Sequence, residues 1–175
     1  MKIYIVGPVA SGKSTLAKKL SETLSISYHS LDEVIHYPDK SNPWGNSKRE
    51  SGEVDKLFQS VIQEQSWIIE DVGRPCFEQG FKEADKIVLL EVPTRIRNYR
   101  IIKRLIKQRL GIEKCIYNPG YRMLKSMFKW SKNYDTGKDK LKERVGKYKH
   151  KVITLKSDRD IRGFLESSLS GVGKE

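Results

Sequence analysis

This chain has no long apolar run: nothing approaches the ~18 residues that cross a bilayer, so no membrane partner is expected. Cysteine is scarce. Cys76 and Cys115 lack metal-ligand spacing and are too few for a disulfide scaffold, so they read as free thiols and predict a cytoplasmic protein. The start of the chain runs from Met1 and Lys2 straight into a strand-like segment, without the zones of a secretory signal. Acid is in deficit as well: 22 Asp and Glu stand against 34 Lys and Arg, for a net charge of +12. That imbalance favours polyanionic partners, nucleotides first. It is concentrated between residues 95 and 151, whereas the first 90 residues are nearly balanced. A nucleic-acid partner fits the charge, yet no helix-turn-helix, zinc-finger or aromatic RNP pattern accompanies it. Repeats, low-complexity tracts and linkers are absent too, so the 175 residues are expected to form a single domain, 1–175.

What is present begins at the seventh residue. Gly7-Pro8-Val9-Ala10-Ser11-Gly12-Lys13-Ser14-Thr15 fits the G-x-x-x-x-G-K-[ST] phosphate-binding loop without a mismatch. The strand-like Ile3, Tyr4, Ile5 and Val6 precede it, and an amphipathic run with Leu16, Ala17, Leu20 and Leu24 follows. In that setting the glycines let successive N–H groups turn inward and form an anion nest at the positive end of a helix. Lys13 is expected to reach the β- and γ-phosphates of a nucleoside triphosphate, and the Ser14 hydroxyl to hold Mg²⁺. ATP and Mg²⁺ are therefore the expected cofactors.

Short apolar runs alternate with helical patterns along the rest of the chain, which predicts βαβ units around a parallel sheet. Strands are expected at 3–6, 27–29, 67–70, 87–91 and 152–155, and helices at 13–24, about 52–65, 94–110, roughly 121–133, 139–148 and 159–169. The predicted class is an α/β, three-layer P-loop NTPase: a five-stranded parallel sheet with helices on both faces and a helical lid insertion. Thr94 is a cap for the third long helix and Gly111 its stop. Ile161, Phe164, Leu165 and Leu169 would seat the last helix on the sheet, and residues 171–175 should fray. Two stretches break the alternation. Residues 37–50, rich in Pro, Asn, Ser and Gly, read as a mobile acceptor-side loop, and 111–137 as a lid-like insertion.

With these pieces in order, the chain resembles the nucleoside and nucleotide kinases of the adenylate kinase type. More narrowly, it resembles the FlaR-related DNA topology modulation proteins, which are adenylate-kinase-like P-loop proteins. The narrower likeness rests on Ser30-Leu31-Asp32, on Trp67-Ile68-Ile69-Glu70, on the run from Ala84 to Pro93, and on Leu155-Lys156-Ser157 with Ile161-Arg162-Gly163-Phe164-Leu165. The resemblance implies phosphoryl transfer from ATP to a nucleoside, a nucleotide or a similar small acceptor. It also implies roles. In Glu70-Asp71-Val72-Gly73-Arg74 a carboxylate orders Mg²⁺ and Arg74 meets the acceptor; Glu70-Asp71 departs from the family's Asp-Gly, so either acid can serve. Arg100 and Arg104 occupy the places of the donor-phosphate clamp and Arg144 that of the post-lid arginine. The Lys156-Ser157 turn falls where the donor base is held by main chain.

Each assignment has a plainer alternative. Arg100 and Arg104 share a helical face with Arg97 and Lys107, away from an apolar stripe of Ile96, Tyr99, Ile102, Ile106 and Leu110, and can equally be a solvated basic face. Asp32 can orient an acceptor hydroxyl or take its proton, or it or Ser30 can cap a helix. His36, Tyr37 and Trp44 can stack on an acceptor or simply pack locally. Met123, Met127 and Trp130, with Leu124 and Phe128, read as a core-facing stripe. Two other functions stay open at this level: a DNA-associated regulator that binds nucleotide, and a protein that holds ATP without turning it over.

Overall fold

Three strands of this protein are apolar on both faces, and only a parallel sheet covered by helices on each side tolerates that. The computed structural model describes residues 1–113, 115 and 117–170. In chain order it runs β1 (Lys2–Val6), α1 (Lys13–Leu24), β2 (Tyr28–Ser30), α2 (Leu31–Ile35), β3 (His36–Pro38), β4 (Asn46–Lys48), α3 (Ser51–Ile62) and β5 (Trp67–Asp71). It continues with α4 (Glu78–Glu83), β6 (Lys86–Leu90), α5 (Thr94–Arg109), α6 (Tyr121–Asp135), α7 (Leu141–Gly146), β7 (Val152–Leu155) and α8 (Asp158–Ser170).

Five parallel strands form one sheet in the order β2-β5-β1-β6-β7. Alternation along the strands divides the core in two. Tyr4, Val6, Trp67, Ile69, Ile87 and Leu89 point to one face and meet Phe58, Phe77, Phe81 and Leu141. Ile3, Ile5, Ile68, Val88 and Leu90 point to the other and meet Leu16, Ala17 and Leu20 of α1 and Phe164 of α8. Because β1 has β5 on one side and β6 on the other, the chain order reverses around it. The loop after β1 therefore opens onto a crevice at the carboxyl edge, where ligands of such sheets bind.

The α/β class and the five strands match expectation to within a residue or two at each end. Other elements depart from it. Residues 37–50 are not a featureless loop: β3 and β4 pair antiparallel within it, His36 opposite Lys48 and Pro38 opposite Asn46. Arg49 secures this hairpin by donating to the carbonyls of Glu33, Val34 and His36. The helix expected over 139–148 is only Leu141–Gly146. Thr94 is the first residue of α5, not its cap; its hydroxyl donates to Asp135 of α6 at 2.9 Å. Ile161, Phe164 and Leu165 do seat α8 on the sheet. The side chain of Leu169 and residues 171–175 lie outside the described residues.

The largest correction concerns α5. Its apolar stripe faces outward, and the side chains turned to the protein are Arg97, Ile101 and Gln108. Arg97, read as part of a basic surface, is fully buried. It donates to the Val92 carbonyl, to Ser131 and to the Thr94 hydroxyl, and it pairs with Asp135. That network ties α5 to α6. The α6 stripe behaves closer to expectation: Met123 and Met127 are buried with Ile101, and Val9, Ala10, Leu124 and Phe128 pack around them. Trp130 is the exception, half exposed. The insertion thus lies directly over the phosphate-binding loop.

Candidate active site

The loop between β1 and α1 is held in shape by its own backbone. Gly7 has φ +154°, and a Cβ there would stand 2.6 Å from the Leu90 carbonyl oxygen, so close approach to β6 requires glycine. Gly12, at φ +100°, turns the chain into α1 with no side-chain cap. The first N–H groups of α1 are consequently left for a ligand. Ser11 is fully buried, and its hydroxyl has no partner among the described residues. Lys13 is 8% exposed and donates to the Pro8 carbonyl at 2.9 Å. Burial holds its pKa below the ordinary lysine value, against the pull of Glu70, Asp32 and Asp71. An orphaned hydroxyl, a desolvated ammonium and free helix N–H groups in one concave loop fit the oxygens of a polyphosphate.

At the end of β5 two consecutive carboxylates face opposite ways, as strand geometry demands. Glu70 accepts the Ser14 hydroxyl at 2.7 and 2.9 Å and the Tyr28 hydroxyl at 2.8 Å. Asp71 accepts from the backbone of Gly73 at 2.7 Å and of Arg74 at 2.5 Å, and pairs with the Arg74 guanidinium. Burial pushes the Asp71 carboxyl up, and Arg74 opposes the shift. Ser14 and Glu70 offer hard oxygens of the kind that Mg²⁺ takes. Among the described residues no group of three or more His, Cys, Asp or Glu is arranged to hold a metal. A magnesium ion here would lean on the nucleotide's own oxygens, as is usual for this ion.

Asp32, on α2, completes an ion pair with Arg74 from the other side. Its alternative role as a cap is not realised: Ser30 is the N-cap residue and makes no side-chain cap bond. The Asp32 side chain keeps 54% of its surface open. Partial enclosure would raise its pKa, but the charge and hydrogen bond of Arg74, with Lys13 and His36, bring it below the usual carboxylate value. The Arg74 pKa is raised, because Asp71 and Asp32 outweigh the cost of burial. Nearby, Arg144 donates to the Gly73 carbonyl, and its buried Nε has no partner.

The arginines of α5 are placed differently from one another. Arg100 lies on the phosphate loop, donating to the Ser11 carbonyl at 3.0 Å and pairing with Asp158 at 3.1 Å. Arg104 pairs with Glu113 at 2.9 Å. The main-chain N–H groups of Lys156 and Ser157 are both taken by the Asp160 carboxylate, at 2.8 and 3.0 Å, which leaves that turn its carbonyls. The hairpin tip meets the insertion where the Asn118 N–H donates to the Trp44 carbonyl at 2.7 Å. The cleft beside this contact, about 410 Å³, is lined by Pro43, Trp44, Tyr121 and Arg122. Tyr37 instead lies under the Arg49 guanidinium, 5.7 Å from ring centroid to Cζ.

Sequence reasoning missed Tyr28. A signal existed: Tyr28 and Ser30 share a face of β2, and Ser30 is in register with Glu70 on β5. The Arg97–Asp135 pair gave no local signal, since it joins two helices 38 residues apart.

The fold is one that solved kinases of small molecules share at low sequence identity. The chain is similar in structure to a gluconokinase from Sinorhizobium meliloti 1021 (TM-score 0.53, 12% identity, 99% of this chain and 91% of that one). It is likewise similar to a shikimate kinase from Acinetobacter baumannii in complex with shikimate (0.52, 16%, 98% and 92%). A sugar kinase from Janibacter sp. HTCC2649 matches at 0.52 and 13%, over 98% and 91%. No protein-family model and no curated protein matches the chain. Among the described residues no helix is long and apolar enough to cross a membrane.

Proposed function

We propose that this protein is an ATP-dependent phosphotransferase that moves the γ-phosphate of Mg-ATP to the hydroxyl of a small acceptor. The observation that carries this reading is the row Asp32–Arg74–Asp71, set between the phosphate loop and Arg144. Arg74 is already matched by two carboxylates, so it has little charge to offer a doubly charged monophosphate. Asp32, ionised and half open, is suited to a neutral hydroxyl. Within the broader expectation of a nucleoside, nucleotide or similar acceptor, this favours a hydroxylated small molecule, which also agrees with the acceptors named for the gluconokinase and shikimate kinase neighbours.

The residues divide the work as follows. The N–H groups from Gly7 to Ser14 and the Lys13 ammonium hold the donor phosphates. Ser14 and Glu70 fit a magnesium ion, which when bound supplies positive charge to the phosphate oxygens; Tyr28 fixes the Glu70 carboxylate. Asp32 holds the acceptor hydroxyl and takes its proton as the new O–P bond forms and the bond to ADP breaks. Arg144, with no carboxylate partner among the described residues, has charge to spare for the equatorial oxygens, and Arg100 lies on the phosphate loop. Such transfers need positioning and electrostatics above all. Arg104, tied to Glu113, is the weaker clamp, and Asp71 acts through Arg74 rather than on the metal. The α6 lid over Val9 and Ala10 keeps water from the transferring group.

A coupled assay with ATP across sugars, polyols, hydroxy acids, nucleosides and nucleoside monophosphates tests this. Turnover with a hydroxyl acceptor supports the proposal. Turnover confined to monophosphates overturns the acceptor class, and absence of ATP binding in calorimetry with magnesium overturns the whole. The FlaR-related resemblance carries the alternative of a DNA-associated nucleotide binder, for which the +12 charge is the supporting observation. A gel shift at two salt concentrations separates it, since charge alone gives only salt-sensitive, sequence-independent binding.

A further inference from the structure

The outward face of α5 is built unlike a solvated helix surface. Ile96, Tyr99, Ile102, Ile106 and Leu110 are exposed by 42% to 67%, and Ile112 just beyond the helix by 69%. At 100° per residue the five helical positions fall within an arc of about 120°, opposite the buried Arg97, Ile101 and Gln108. Arg109 and Lys107 border this stripe on its two sides, and Arg95 and Lys103 stand within its arc; Lys103 lies over the Tyr99 ring at 5.7 Å. No acid lies between Thr94 and Leu110.

An exposed apolar stripe edged and interrupted by cations, with no acid beside it, is the pattern of a helix lying in a membrane interface, its lysine and arginine stems reaching up to the head groups. Charge selects among partners. A second copy of this chain would bring cations against cations, whereas an anionic surface meets all four of these cations. Nucleic acid would leave the isoleucines without a partner. We infer that the outer face of α5 docks this protein on anionic lipid bilayers. No spanning segment is required, and the chain has none among its described residues.

Flotation of the full-length protein with vesicles tests this, comparing phosphatidylcholine alone with a mixture holding about 30 mol% phosphatidylserine. Binding to the mixture only, and its loss at high salt, is expected. Ile102→Ser with Ile106→Ser should weaken it about a hundredfold, and Lys103→Gln with Lys107→Gln about thirtyfold. All four positions are turned away from the core, so the melting temperature should hold, and Lys13→Ala should float like the parent. No flotation at low salt overturns the inference, as does binding indifferent to the serine pair. Light scattering that shows a dimer abolished by the serine pair assigns the stripe to a second copy instead.

Discussion

Helices α1 and α5 are both amphipathic and sit on either side of the phosphate loop, yet they are turned opposite ways. In α1 the apolar side chains Leu16, Ala17 and Leu20 are buried against the sheet. In α5 an arginine and a glutamine are buried, and four large apolar residues and a tyrosine stand in solvent. The difference follows from what each helix faces. The inner side of α1 meets the apolar side chains of the strands and of α8, so hydrophobic burial sets its rotation. The inner side of α5 meets the carbonyls of Val92 and Ser131 and the Asp135 carboxylate, groups that need donors once they leave water. Polar partners won that face, and the apolar stripe was left to another contact.

The sharpest way to break the contrast is at the start of α1. Lys13→Ala should lower kcat by at least ~10³-fold, the scale on which cations act in phosphoryl transfer, while the circular-dichroism melt stays cooperative. Retained turnover would remove α1 from the chemistry. Next in size is the inner face of α5: Arg97→Met strands the Asp135 carboxylate and should cost about 3–5 kcal/mol in a denaturant titration. A loss under about 1 kcal/mol would mean that the α5–α6 network is not structural. The apolar faces give the direct comparison. Leu20→Ala should cost about 2–5 kcal/mol, whereas Ile106→Ala should stay within about 0.5 kcal/mol; equal costs would place the stripe in a core.

Two smaller effects sharpen the site between the helices. Tyr28→Phe keeps the ring and removes the bond to Glu70, so the magnesium concentration for half-maximal activity should rise about tenfold with little change in melting. An unchanged magnesium dependence would leave Tyr28 a packing residue. Asp32 governs the acid side. Its folded pKa lies below its unfolded value, so the unfolded chain takes up the proton first as pH falls. Its stabilisation is present above the ordinary carboxylate pKa of about 4 and fades as pH drops through the lower folded value. Asp32→Asn should therefore flatten the acid limb of the melting-temperature profile; an identical limb would show that Arg74 does not hold the ionised form.

Legibility followed locality. The β1–loop–α1 unit was readable because strand, glycines, lysine and hydroxyl lie within one short stretch whose geometry is local. Glu70 and Asp71 could be placed at the strand end, but their division of labour could not, since it depends on Ser14 and Tyr28 arriving from other elements on one side and Arg74 and Asp32 on the other. The hairpin at His36–Pro38 and Asn46–Lys48 was hidden because both strands are short and polar, and their pairing is secured by Arg49 rather than by an apolar pattern.

The amino-acid order alone determined the parallel sheet, the phosphate loop and the amphipathicity of each long helix, because periodicity and loop geometry are properties of neighbouring residues. Only the tertiary structure decided which way α5 is rotated, which carboxylate answers Ser14, and that Arg74 is held by two acids while Arg144 is held by none among the described residues. Those outcomes depend on which groups lose water together, and that is settled by contacts between residues tens of positions apart.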